Sequence, residues 1–305
     1  MKFMAQLCAL IAFLSSGSAA YAQTPATSFE VGSIHVDKYG SGEADLPALI
    51  LIPGLTNGAA VWAPTIHRFA RSYTIYALTL AGFGGRASTA APLLDKADAD
   101  IVALIAKEHL KRPIVIGHSM GGHLAIRLAA EHSDKLRGII AVDGLPVFPG
   151  FDEMTPEQRL SAATKMSAQI KSAATAEQFM HVQRTYIVPG LTLAKNVEVV
   201  ARLSTGADPS ATAQYAQEVL VTDLRPQLSK ITVPVLELAP YDPTLDNSPP
   251  GNFATPTLKQ TYYEALLKND KTASVQMVQD SRHFIMYDQP DAFYVDVQHF
   301  IDLHK

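Results

Sequence analysis

Cysteine is almost absent: Cys8 is the only one in 305 residues. It falls in the apolar N-terminal stretch, so residues 23–305 have none. That part of the chain can form no disulfide framework, thiolate nucleophile, zinc–thiolate site or iron–sulfur cluster, and its stability must come from its core. Charge is also sparse, at 18% of residues, with 25 Lys and Arg against 29 Asp and Glu for a net charge of −4. No basic field exists for nucleic acid to bind, and no polybasic run for an anionic membrane surface. Long apolar runs are missing too. Leu7 to Leu14 is too short to span roughly 30 Å of hydrocarbon, so no stable membrane insertion is expected. There is no His-x-x-x-His pair, internal repeat or low-complexity segment. No metal and no cofactor is expected.

Apolar residues make up 48% of the chain, enough for a globular protein with a sizeable core in one large domain or two small ones. The N-terminus has the pattern of a secretory signal: Lys2, the apolar Leu7 to Leu14, and an A-x-A site at Ala20-Tyr21-Ala22. Residues 1–22 are therefore expected to be removed, and the mature protein to be soluble and either periplasmic or secreted.

From residue 29 onwards, short β-rich runs alternate with helical stretches. This alternation predicts a mainly parallel sheet flanked by helices. Strands are expected at Phe29–Asp37, Ala48–Ile52, Tyr73–Leu80, Pro113–Gly117 and Gly138–Val142. Helices are expected at Trp62–Arg71, Asp98–Leu110 and Gly121–His132. Between 147 and 228 the strands stop and helix-start signals accumulate. Thr155-Pro156-Glu157-Gln158 has an N-cap, a proline at N1 and a glutamine at N3, Thr175 to Gln178 repeats that arrangement, and Asp208-Pro209 opens another helix. This stretch predicts an insertion of three or four helices. Strands then resume at Val233–Ala239 and Ala273–Gln279, with helices at Thr257–Lys268 and Pro290–His304.

Gly117-His118-Ser119-Met120-Gly121-Gly122 follows one predicted strand and precedes a helix. That is the strand–turn–helix setting in which G-x-S-x-G acts as a nucleophile elbow. Neighbouring side chains would collide with the strand and helix, so glycine is needed on both sides of the serine. The turn presents the Ser119 hydroxyl above the sheet edge and aims the Met120 N–H at a forming oxyanion. A hydroxyl needs a base. Among the ten histidines, His283 lies on the loop after the last predicted strand, at the same sheet edge. The third member is an acid that fixes the imidazole tautomer. Asp242, after the strand 233–239, gives the chain order Ser, Asp, His and is expected in that role. Asp143, one strand earlier, is its rival, and Asp246 a weaker third.

These residues resemble those of the α/β-hydrolase fold family, from about residue 29 to the end. Besides the elbow, Ile52-Pro53-Gly54-Leu55 resembles the family's first oxyanion-hole segment. Leu80 to Ser88 resembles its Gly-rich turn, and Pro234-Val235-Leu236 with Asp242 and His283-Phe284 with Gln289-Pro290 resemble its later signatures. Pro53 stands where the family often has His, and Thr79-Leu80-Ala81 lacks the usual aspartate before the Gly-rich turn. The resemblance implies an α/β fold with an eight-stranded, mostly parallel sheet. The core would comprise 23–146 and 229–305, and 147–228 would be a helical lid. It also implies Leu55 as the second oxyanion-hole donor.

The expected reaction is hydrolysis of a small to medium, partly apolar carboxylic ester through an acyl-enzyme on Ser119. A serine C–C hydrolase, lactonase, amidase or perhydrolase on the same fold is the alternative. A non-catalytic ligand-binding protein is the alternative of another class. Met154, Met166, Phe179, Met180, Tyr186 and Tyr215 are candidates for an apolar wall in the lid, and Trp62 for the acyl side of the pocket. The sequence does not fix the oligomeric state.

Overall fold

A computed structural model describes residues 23–43, 45–173, 175–248 and 252–305. The expected signal segment, with Lys2 and Cys8, lies outside the described residues, as does the Tyr186 side chain. The chain begins with a hairpin, β1 (Thr27–Val31) and β2 (Ile34–Tyr39), where the sequence pattern predicts one strand. Gly32, at φ +55°, makes the reversal. Next come β3 (Leu49–Ile52), α1 (Ala63–Phe69), β4 (Ile75–Thr79), α2 (Leu93–Lys107), β5 (Ile114–His118), α3 (Met120–His132) and β6 (Gly138–Val142). Four helices follow: α4 (Pro156–Lys171), α5 (Ala176–Ile187), α6 (Ala194–Leu203) and α7 (Pro209–Val221). The chain ends with β7 (Val235–Tyr241), a helical turn α8 (Pro243–Asp246), α9 (Pro256–Leu267), β8 (Ala273–Gln279), a second helical turn α10 (Ile285–Asp288) and α11 (Pro290–Leu303).

The eight strands form one sheet in the order β1-β2-β4-β3-β5-β6-β7-β8. The β1–β2 and β2–β4 pairs are antiparallel and the rest parallel. Side chains alternate faces along each strand, and here both faces are covered. Ile50, Ile52, Val115 and Ile139 pack with Leu124 and Leu128 of α3 and with α2. Leu49, Leu51, Ile116 and Ile140 pack on the other side with Phe69 of α1 and Phe293, Val297 and Phe300 of α11. Burial on both faces accounts for the unbroken apolar strands, as in Leu-Ile-Leu-Ile of β3. Each such side chain contributes about 1.5–3 kcal/mol of transfer free energy.

The insertion between β6 and β7 follows the local signals closely. Thr155 and Gln158 form a reciprocal capping box, Thr175 accepts from the Gln178 N–H, and Asp208 accepts from the Ala211 N–H. Helix α4 packs along α7. Tertiary hydrogen bonds tie the insertion to the core. Gly85 N–H donates to Gly206 at 2.8 Å, Asp208 N–H to Gly82 at 2.7 Å, and Phe284 N–H to Gly190 at 3.1 Å. Strand order reverses between β3 and β5, and in open parallel sheets a crevice forms at the carboxyl ends of strands at such a point. The elbow lies there. Among the described residues no helix is long and apolar enough to cross a membrane.

Candidate active site

Strand β5 ends at His118, and Ser119 turns the chain into α3 with φ 55° and ψ −119°. This conformation is costly for a residue with a side chain, and it is held by two hydrogen bonds. Ser119 N–H donates to Val142 O, and His123 N–H donates to Ser119 O, both at 2.9 Å. The close approach explains the flanking glycines. A Cβ on Gly117 would lie 2.0 Å from Gly121 O, and one on Gly121 would lie 2.4 Å from Ile52 O. Met120 opens α3, so its N–H is among the first-turn donors that have no carbonyl within the helix. Leu55 follows Gly54, whose position presses on the elbow: a Cβ there would lie 3.2 Å from Ser119 Cβ.

His283 lies on the loop after β8, as expected, but the acid it meets is Asp143. Nδ1 of His283 is 2.5 Å from Asp143 Oδ2. Asp242 does not reach the imidazole. Its Oδ2 accepts from Arg282 Nε at 2.5 Å, while Oδ1 caps α8 by accepting from Thr244 N and Oγ1. The expectation for Asp242 is therefore corrected. It is followed by Pro243 and serves as a helix cap, and the guanidinium beside His283 takes its charge. Asp246 is likewise committed, to Lys259 Nζ at 2.7 Å and to Asp242 N–H at 2.8 Å.

Asp143 occupies a turn with φ 48°, its N–H donating to Leu238 O at 2.9 Å. Tyr263 Oη of α9 donates to Oδ1 at 2.6 Å. Burial works to raise this carboxyl, but the electrostatic pull of His283, its hydrogen bond, Lys259 and the Tyr263 bond outweigh it and hold the group at about 2. Burial, then the Asp143 charge, pushes the Tyr263 phenol well above its ordinary value, so it stays a donor. Behind this pair lies Glu237 of β7, fully buried, with Oε1 accepting from Gly144 N–H at 3.2 Å and Oε2 without a hydrogen-bond partner among the described residues. Burial and the neighbouring Asp143 charge raise it well above the carboxylate range, which keeps it protonated. Two neutral histidines flank the elbow. Burial pulls His118 down to about 3, helped by the His283 charge, and pulls His123 down to about 4.

The sequence reading missed Tyr263, Glu237 and Arg282. For Arg282 a signal was present, a cation directly before the candidate base. For the other two nothing local pointed to the site. Trp62 is fully buried and stacks on Phe293 with ring centroids 6.4 Å apart. Phe179 and Tyr215 pack into the core, Tyr215 lying 5.0 Å from the Phe83 ring. One group of metal-ligating side chains gathers among the described residues, Asp98, Glu131 and His132, with ligand atoms within 4.8 Å of one another. It lies at the far end of α3, about 18 Å along the helix from the elbow. Arg127 already brings a cation to it, donating to Glu131 at 3.2 Å.

A family model described as the alpha/beta hydrolase family matches residues 49–297. The chain belongs to that family. It is 26% identical over 268 residues to a pimeloyl-[acyl-carrier protein] methyl ester esterase of Yersinia enterocolitica, a match covering 83% of this chain and 92% of the relative. It is 23% identical over 256 residues to 3-oxoadipate enol-lactonase 2 of Acinetobacter baylyi, covering 83% and 87%. A thermophilic esterase from Thermogutta terrifontis superposes with a TM-score of 0.72 at 16% identity, covering 92% of this chain and all of that one. This member of the alpha/beta hydrolase family is, with its relatives, a hydrolase.

Proposed function

We propose that the chain is a serine hydrolase of carboxylic esters, with Ser119 as nucleophile, His283 as general base and Asp143 as the acid that orients it. The observation carrying this reading is the 2.5 Å bond from His283 Nδ1 to a carboxylate held low, on a loop bonded by the ring of His118, the residue before a serine in a strained elbow. An imidazole that donates through Nδ1 has its proton there, so Nε2 is left as the acceptor for a hydroxyl proton. Ser119 Oγ attacks the ester carbonyl as Nε2 takes its proton. The N–H groups of Leu55 and Met120 stabilise the tetrahedral oxyanion, a contribution on the order of 10²–10³ in rate for each donor. The imidazolium then protonates the departing alcohol, and water, deprotonated by the same nitrogen, hydrolyses the acyl-enzyme. The helices of 147–228 act as a lid that shapes a partly apolar pocket. In the same reading the enzyme works outside the cytoplasm, after export directed by residues 1–22, and the test is its recovery from the periplasmic fraction or the medium.

A fluorophosphonate probe, followed by a panel of chromogenic esters of graded acyl length with lactone and amide analogues, tests the proposal. Wild type is expected to label and to turn over esters, and Ser119→Ala to do neither. A folded wild type that resists labelling would support a ligand-binding protein instead. Turnover of lactones with little ester activity would move the substrate class towards the enol-lactonase relative.

A further inference from the structure

We propose, building on the serine-hydrolase reading, that His118 is a positioning residue: its neutral imidazole holds the His283 loop in register with Ser119. His118 occupies the variable place before the serine in the elbow motif. Its Nε2 lies 3.0 Å from the backbone carbonyl of His283. A carbonyl can only accept, so Nε2 carries the hydrogen and donates. The ring is buried, 1% exposed, and packs against two rings of the base loop, with centroids 4.7 Å from His283 and 4.6 Å from Phe284.

The same residue is tied to the other two members of the triad through the backbone. It precedes Ser119 directly. As the last residue of β5 it pairs in register with Val142, the residue before Asp143. Val142 O in turn accepts the Ser119 N–H. One residue therefore fixes the separation of nucleophile, acid and base, and its bond to the His283 backbone is the only one of these links made by a side chain. Its Nδ1 faces Gly54 and has no hydrogen-bond partner among the described residues, and a Cβ at Gly54 would come within 2.8 Å of it. A buried ring nitrogen left without a hydrogen bond is costly. A residue chosen only to fill space would avoid that cost. Donation through Nε2 accounts for an imidazole at this place.

The test compares H118F and H118L, which fill the space without a donor, with H118Q, whose amide N–H reaches the place of Nε2. Steady-state kinetics on a chromogenic ester, thermal melts, and the downfield proton resonance of the His283 Nδ1–H are measured on each. In H118F and H118L, kcat is expected to fall roughly 10- to 100-fold with KM within roughly twofold, the melt retained and the downfield resonance weakened. H118Q is expected to recover most of kcat and the resonance. Wild-type kcat in either donor-less variant overturns the proposal, as does equal impairment of H118Q and H118F, which would mark a packing role. If one donor-less variant fails to fold, the other supplies the comparison. If neither folds, the downfield resonance of folded H118Q decides: its loss overturns the proposal and its persistence supports it. S119A and H283A are run alongside. Full turnover in those would remove the serine-hydrolase reading itself, whereas their inactivity with unimpaired H118F would remove only the role of His118.

Discussion

Asp143 and Asp242 stand just beyond the ends of adjacent strands, and their partners separate them. Asp143 is engaged by His283 and Tyr263, and Asp242 by Arg282 and Thr244. Replacing the first with asparagine offers His283 Nδ1 an amide that can itself donate, which favours the wrong tautomer. We expect D143N to lower kcat on the order of 10³–10⁴-fold with KM little changed. D242N leaves the imidazole's partner in place, and kcat is expected to fall less than roughly tenfold, with some loss of thermal stability because Arg282 loses its counter-charge. Steady-state kinetics on both variants decides, and a more severe loss in D242N would return the acid to that position. The placement of Ser119 at a strand–helix turn and of His283 on the loop after β8 could be read from the chain because a motif and a loop position marked them. The choice between two post-strand aspartates could not, since it depends on a left-handed turn at Asp143 and on Arg282 lying 40 residues from Asp242. The Asp-Pro step at 242 resembles a strand end equally well whether it caps a helix or serves a base.

The same division holds for whole elements. Helices α4, α5 and α7 start where capping residues say they should, because the cap is a contact within four residues. Helix α2 begins at Leu93, five residues before the start its apolar spacing suggests, and its N-cap Pro92 offers no side-chain cap. The missing acceptor comes from another element. Glu218 of α7 takes the Leu93 and Leu94 N–H groups at 2.9 and 2.7 Å. A carboxylate on two free N–H groups at a helix start is a favourable arrangement that no local window contains. The hairpin at β1–β2 was missed for a related reason, since its pairing partners and a single glycine turn define it rather than any change in composition. Glu218→Ala should therefore cost about 1–3 kcal/mol and speed amide exchange at residues 93–97. Thr155→Ala, which removes a cap at the exposed start of α4, should cost about 1 kcal/mol with exchange changed only around 156–159. Hydrogen exchange and denaturant melts of the two variants check this. Unchanged exchange at 93–97 in E218A would show that α2 holds its first turn without α7.

At the scale of the molecule, Ser119, Asp143 and His283 follow the carboxyl ends of β5, β6 and β8, and buried ionisable groups lie around them. Those groups set opposing dependences on pH. His118 and His123 titrate at about 3 and about 4 in the fold, below the ordinary 6.5. Below pH 6.5 the unfolded chain takes up protons that the folded one refuses, so stability declines as the pH falls from 6.5 through those values. Asp143, held at about 2 against an ordinary 3.8, adds stability above 3.8 that is lost as the pH drops through about 2. Glu237 acts in the other direction. Its folded value is raised well above 4.5, so its contribution is complete below 4.5 and is lost as the pH rises towards that raised value. Each unit of displacement corresponds to about 1.4 kcal/mol. Glu237→Gln keeps an acceptor for Gly144 and the shape of a protonated carboxyl but has no proton to lose. Its melting temperature should match that of wild type below pH 4.5 and exceed it increasingly at higher pH, while the decline on the acid side is shared. Scanning calorimetry from pH 3 to 9 reads this directly. Parallel curves above pH 5 would mean that Glu237 is ionised in the folded protein and that a counter-charge compensates it inside the sheet.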